Sequence, residues 1–422
     1  MTTSSLLKDF ATFLQTSPTA WHCVQEVISR LNKKGFSALE EQELWHLREG
    51  HKYFVSRGGS MAAFCLPSNR PHKILLLVAH TDSPGLKIKP HPVITQHDMN
   101  LLEVEVYGSP ILHSWLNRDL ALAGRCFLRH PGGEVHEELV FLDTLPLMIP
   151  ELAIHLDRDV NTRGPFINKQ EHLMPLLSMQ MPLTLDSLLR KSFSFETLLS
   201  FDLFLTPLES PRFLGLQKEW IASYRLDNLT SVHAAMTAIM HYEDSPTLPI
   251  IVFLDHEEIG SKSWEGACSS FIHDLLCRLR GFYSFTEEEF LVMKRNSLCL
   301  SLDMAHGLNP MHAGKHDPNH KPLLGKGLVL KHSAELKYAS SAYTLAKAIQ
   351  IGERALVPLQ HFVSRSDIPS GSTVGPHITA SLGIPTVDLG CAQLSMHSAR
   401  EMMATSDYLD CVTFLQEALR SS

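Results

Sequence analysis

Five short stretches of the chain concentrate imidazole and carboxylate side chains. They are His80-Thr81-Asp82, the segment 224–228 with Asp227, Asp255-His256-Glu257-Glu258, the segment 303–306 with Asp303 and His306, and 395–398 with His397. Imidazole nitrogen and carboxylate oxygen are the donors that borderline divalent ions such as zinc accept. Asp227, Glu258 and Asp303 would repel one another if gathered without cations. A carboxylate has two oxygens, so one of them can serve two ions. The adjacent glutamates suggest a division of work. A carboxylate that ligates a metal is a poor base, whereas an unligated neighbour can take a proton from an activated water. Glu258 as ligand and Glu257 as general base fits that division.

Each stretch has a plainer reading alone. His80 could belong to a hydrogen-bonded turn, and the chain holds 24 histidines. Asp227 could cap the helix that follows it, and Asp303 and His306 could be turn residues. Glu257-Glu258 is the least ordinary, because it closes an apolar run at 250–254. A charge pair there is costly unless something neutralises it.

Four of the five stretches close or follow an expected strand. Residues 74–79, 250–254, 298–302 and 384–389 are short apolar runs of the kind buried on both faces of a sheet. Helical spacing marks residues 6–14, 24–31 and 229–241, and helices are also expected at 271–280 and 342–349. Alternating strands and helices predict an α/β fold with a largely parallel sheet flanked by helices. Sites in such sheets gather beyond the carboxyl ends of the strands, so residues distant in the chain can converge. From about 90 to 218 the pattern changes to short strand-like pieces, at 102–107, 121–128 and 139–142, with Gly/Pro turns. The expected organisation is a catalytic domain in two parts, 1–89 and 219–422, with a mainly β domain inserted at 90–218.

Composition excludes several classes. The chain has 422 residues, 44% hydrophobic and 19% charged, as expected of a globular protein. A formal charge of −8 and the absence of a Lys/Arg run argue against nucleic acid. The eight cysteines show no CxxC pair and read as reduced thiols. No run of eighteen apolar residues and no signal-peptide core occur, so a cytoplasmic protein without membrane association is expected.

The ordered motifs AHTDSPG (79–85), RLDN (225–228), DHEEIGS (255–261), SLDMAHG (301–307) and MHSARE (396–401) resemble the aspartyl aminopeptidase family of dinuclear-zinc metallopeptidases. Weaker echoes are SPTAWH (17–22), AIHLDR (153–158), KHDPNHKPL (315–323) and SGSTVGP (370–376). The resemblance implies a zinc-exopeptidase-like catalytic domain and two divalent ions per subunit, zinc first, with cobalt or manganese as alternatives. His80, Asp227 and Asp303 would hold one ion, and Asp227, Glu258 and His397 the other, with Asp227 bridging. Glu257 would be the general base and Asp82 would orient His80. His306, Lys331 and Tyr338 match positions around the substrate, where a cationic Lys331 would suit an acidic first side chain. His155 matches a histidine that the inserted β dimerisation domain lends to the neighbouring active site, with a metal-ligand role as its alternative.

The family acts on the N-terminal residue of peptides and assembles from dimers into a dodecamer. Alternatives are a preference for neutral first residues, a dinuclear-metal deacylase or carboxypeptidase, and a metal-dead assembly or cargo-binding protein. The chain departs from some relatives at His256, Ser370 and Trp21, where Asn, Cys and Phe stand.

Overall fold

The computed structural model describes residues 2–179 and 183–421. Its largest sheet has nine strands, and the strand Lys73–His80 lies near its middle. Thr247–Leu254 and Leu298–Leu302 flank that strand in parallel, and Thr386–Gly390 pairs in parallel with Leu298–Leu302. The outer pairs are mixed. Lys52–Arg57 and Ser60–Cys65 form an antiparallel hairpin on one side, and Leu328–His332 runs antiparallel to Thr386–Gly390 on the other.

The two-residue period of the pleat explains the continuous apolar runs. Ile74, Leu76 and Val78 enter one core with Ile250 and Val252, while Leu75, Leu77 and Ala79 enter the opposite core with Ile251 and Phe253. Helix Leu226–Met240 is buried along most of its length in the second of these cores. Helix Phe271–Phe282 covers the other face. A five-stranded sheet, which includes Trp220–Ser223, Ala392–Leu394, Glu401–Ala404 and Ala305–His306, lies beside this body.

Between residues 85 and 207 the chain builds a separate six-stranded sheet with its own apolar core. All of its pairings are antiparallel. The strand Gly85–Gln96 begins this sheet, so the chain passes into it directly after the His80–Pro84 turn, with an irregularity in its pairing between Ile88 and Val93. Among the described residues no helix is long and apolar enough to cross a membrane.

Candidate active site

The four parallel strands end on the same edge of the nine-stranded sheet. Leu254 pairs with His80, and Leu302 pairs with Leu389, so the residues that follow each strand emerge side by side. His80 closes the first strand and is only 2% exposed. Its Nε2 lies 3.2 Å from Asp227 Oδ1 and 3.4 Å from Asp303 Oδ1. The other oxygen of Asp227, Oδ2, lies 3.7 Å from His397 Nε2, which is also 3.4 Å from Glu258 Oε2. Two three-residue groups of potential ligands result, His80/Asp227/Asp303 and Asp227/Glu258/His397, and Asp227 belongs to both.

Hydrogen bonds hold these groups in place. Asp82 accepts from the backbone N–H of both Glu257 and Glu258, at 3.1 Å each, and faces His80 Nδ1 at 3.4 Å. The backbone carbonyl of Asp82 lies nearer still to His80 Nδ1, at 3.0 Å, so one residue fixes the histidine and the glutamate turn together. Tyr107, on the six-stranded sheet, donates its hydroxyl to Asp82 Oδ2 at 2.7 Å. Glu401 accepts from the N–H groups of Asp227 and His397, at 2.9 and 2.7 Å. Sequence reasoning missed Tyr107 and Glu401, although Glu401 closes the MHSARE motif that led to His397. The turns themselves are unusual. Arg225, His256 and His397 adopt left-handed backbone conformations (φ 64°, 63° and 66°), a rare choice for non-glycine residues that clusters at functional sites.

The electrostatics describe a site short of positive charge. Burial, reinforced by the surrounding carboxylates, pushes Glu257 up to about 8. Burial and the neighbouring Glu257 push Glu258 well above the carboxylate range. Burial alone would lower His80, but the carboxylates of Asp227, Asp303 and Asp82 gathered around its ring reverse this and raise it well above its usual value. Asp227 Oδ1 and Glu258 Oε1 are buried without a hydrogen-bond partner. Buried polar atoms are rarely left so, and oxygen donors facing imidazoles are the set that zinc takes. The residues fit a metal centre.

The remaining expected site residues are more dispersed. Lys331 is buried, and its ammonium donates to Asp303 Oδ2 at 2.7 Å while lying over the Tyr338 ring. Tyr338 is buried against Phe362. His306 is exposed and lines an open cavity of about 440 Å³, with Lys315, His316, Arg365 and Gln393 also in its wall. His256 turns its ring to Ser263 Oγ at 2.8 Å. His155 stands exposed in a turn of the segment beyond Val135–Leu147 and joins neither ligand group of its own chain.

Comparison with known proteins shows the family of the chain. The family model for aminopeptidase I zinc metalloprotease (M18) matches residues 13–418. A Streptomyces avermitilis protein described as "Probable M18 family aminopeptidase 2" is 40% identical over 410 residues, covering 94% of each chain. A Ricinus communis protein described as "Probable aspartyl aminopeptidase" is 34% identical, covering 96% of this chain and 92% of the relative. Among solved structures, the mApe1 dodecamer of S. cerevisiae superposes with a TM-score of 0.84 at 27% identity, covering 98% of this chain and 96% of that one. The mixed α/β fold is thus shared with solved aminopeptidases, and the chain belongs to the M18 family of zinc metalloproteases, as a metal-dependent aminopeptidase.

Proposed function

We propose that the chain is a dinuclear-metal aminopeptidase that favours peptides beginning with Asp or Glu. The observation that carries the two-ion reading is Asp227, whose two oxygens face two different groups of potential ligands. His80, Asp227 and Asp303 would hold one ion and Asp227, Glu258 and His397 the other. When bound, such ions polarise the scissile carbonyl and acidify the attacking water.

Glu257 is the general base. It takes the proton of the attacking water and returns it to the leaving amine. Its turn is held by Asp82, which also orients His80. The acidic side chains of the pocket receive the free α-amino group of the substrate, which restricts cleavage to the first residue. Lys331 acts beside Asp303, with Tyr338 beneath it. Lys315 and Arg365, in the cavity next to His306, supply cations for an acidic first side chain. The name of the Ricinus communis relative supports the same preference.

The six-stranded unit, read as the inserted domain 90–218 between catalytic segments 1–89 and 219–422, is proposed as the dimerisation domain. Its support is a run of exposed apolar side chains, among them Leu152, Ile154, Leu156 and Phe166, a pattern that marks protein contacts. His155 lies within this run and would reach a neighbour's site. The yeast structure of a dodecamer supports assembly beyond the dimer.

A panel of aminoacyl chromogenic amides carrying Asp, Glu and Leu tests the preference, repeated after chelation and refilling with zinc, cobalt or manganese. Turnover of the Asp and Glu amides above Leu is expected, and equal or better turnover of Leu would replace the acidic reading with a neutral one. Glu257→Ala should lose turnover by roughly 10²-fold or more while keeping its metals. Normal activity in that variant would remove Glu257 from the mechanism.

A further inference from the structure

We propose a second kind of metal site, away from the catalytic pocket, at the tip of the outer hairpin of the six-stranded sheet. Its ligands are His130, His136 and Glu138, whose donor atoms all lie within 4.8 Å of one another. Register explains why they meet. In the hairpin formed by Leu120–Arg129 and Val135–Leu147, Cys126 pairs with Glu138 and Leu128 with His136. The His130 N–H to Glu134 carbonyl bond, 2.9 Å, carries the ladder one step further into the turn. Side chains two apart share a face, so the row that begins with the core residues Cys126, Leu128, Val140 and Leu142 ends in His130, His136 and Glu138. Where the apolar row stops, three metal-ligating side chains replace it.

Two imidazoles and one carboxylate form a set that zinc accepts with one position left open. Bonds of about 2.0 Å in a tetrahedral arrangement put donor atoms about 3.3 Å apart, so side chains at the exposed hairpin tip would draw in by up to about 1.5 Å to close on an ion. The rings are already neighbours, with centroids 4.7 Å apart. His130 Nε2 is buried with no hydrogen-bond partner, an exception among polar atoms in folded proteins. Glu134 Oε2, 3.4 Å from His136 Nε2, adds a second carboxylate beside the group. The Pro131–Gly133 turn fixes the approach of His130, because the Gly133 N–H bonds its carbonyl at 3.0 Å. An ion here ties Val135–Leu147, the last strand on its side of the sheet, to its neighbour. Exposed edge strands are where a sheet is most open to fraying and to wrong partners.

The hairpin site is separate from the catalytic groups, so zinc bound there is counted independently of turnover. The full-length protein is equilibrated with micromolar free zinc, and bound zinc per chain is counted for the wild type, His136→Gln and Glu138→Gln. Each variant should hold one zinc fewer, with amide-substrate turnover unchanged, because none of these residues adjoins the catalytic groups. In the wild type, zinc should also slow hydrogen exchange of the amides from 130 to 138, a readout that needs no variant. Equal zinc counts in all three proteins, or exchange in the hairpin that ignores zinc, would overturn the proposal.

Discussion

At the level of single residues, the pocket depends on side chains that touch no substrate. Asp82 is the junction. It faces His80, holds the Glu257-Glu258 turn, and takes a hydrogen bond from Tyr107. Burial and the adjacent Asp82 push the Tyr107 hydroxyl far above its usual range, so it remains a donor. A hydrogen bond to a charged group contributes about 1.5–3 kcal/mol, and Tyr107→Phe should lower kcat/KM roughly tenfold or more. Zinc should also leave that variant at a lower chelator concentration, measured by metal release with the fold monitored by circular dichroism. Glu401→Gln should show the same pair of effects, because it weakens the carboxylate that holds the backbones of Asp227 and His397. The meeting of His80, Asp227, Glu258, Asp303 and His397 was legible from residue type and position after apolar runs. Tyr107 and Glu401 were not, since a tyrosine closing a β strand and a glutamate in a polar motif carry no local sign of a distant partner.

At the level of elements, apolar runs announced the central strands, and the structure extends 74–79 to Lys73–His80 and 250–254 to Thr247–Leu254. The peripheral strands Lys52–Arg57, Ser60–Cys65, Leu328–His332 and Leu359–Val363 had no comparable signal. They are short, and sheet pairing rather than local pattern decides them. One of them is pinned from afar. Asp407, in the first turn of helix Thr405–Ser421, accepts from the N–H groups of Gly325 and Gly327 at 2.8 and 3.0 Å, just ahead of Leu328–His332. Burial raises Asp407 from 3.8 to about 6. The folded state therefore holds this proton more tightly than the unfolded chain, and its contribution to stability is lost as pH rises from about 4 to 6. The stability difference between wild type and Asp407→Asn, from urea melts, should fall across that window by on the order of 2–3 kcal/mol and stay level above it.

For the whole molecule, two quantities follow from charge and surface. Ions bound only by the folded state stabilise it by mass action, about 4 kcal/mol when free ion exceeds the dissociation constant a thousandfold. Chelation should accordingly lower the melting temperature by several degrees, and refilling with zinc should restore it. A metal-free protein that melts where the loaded one does would contradict a buried centre. The proposed assembly rests on the apolar run at 152–166, beyond Val135–Leu147. Replacing Leu152 and Leu156 by Asp should shift native mass spectra from the assembled species to single chains, while far-ultraviolet circular dichroism stays unchanged.

The passage from His80 to Gly85 has one more consequence. Four residues separate a proposed ligand from the first strand of the six-stranded sheet, and Tyr107, on the adjacent strand, reaches back to Asp82. The smaller sheet is therefore tethered to the pocket twice, by chain and by hydroxyl. A binder that tilted it would act as a lever on the imidazole, and engineered control of the enzyme from its outer surface has its natural handle there.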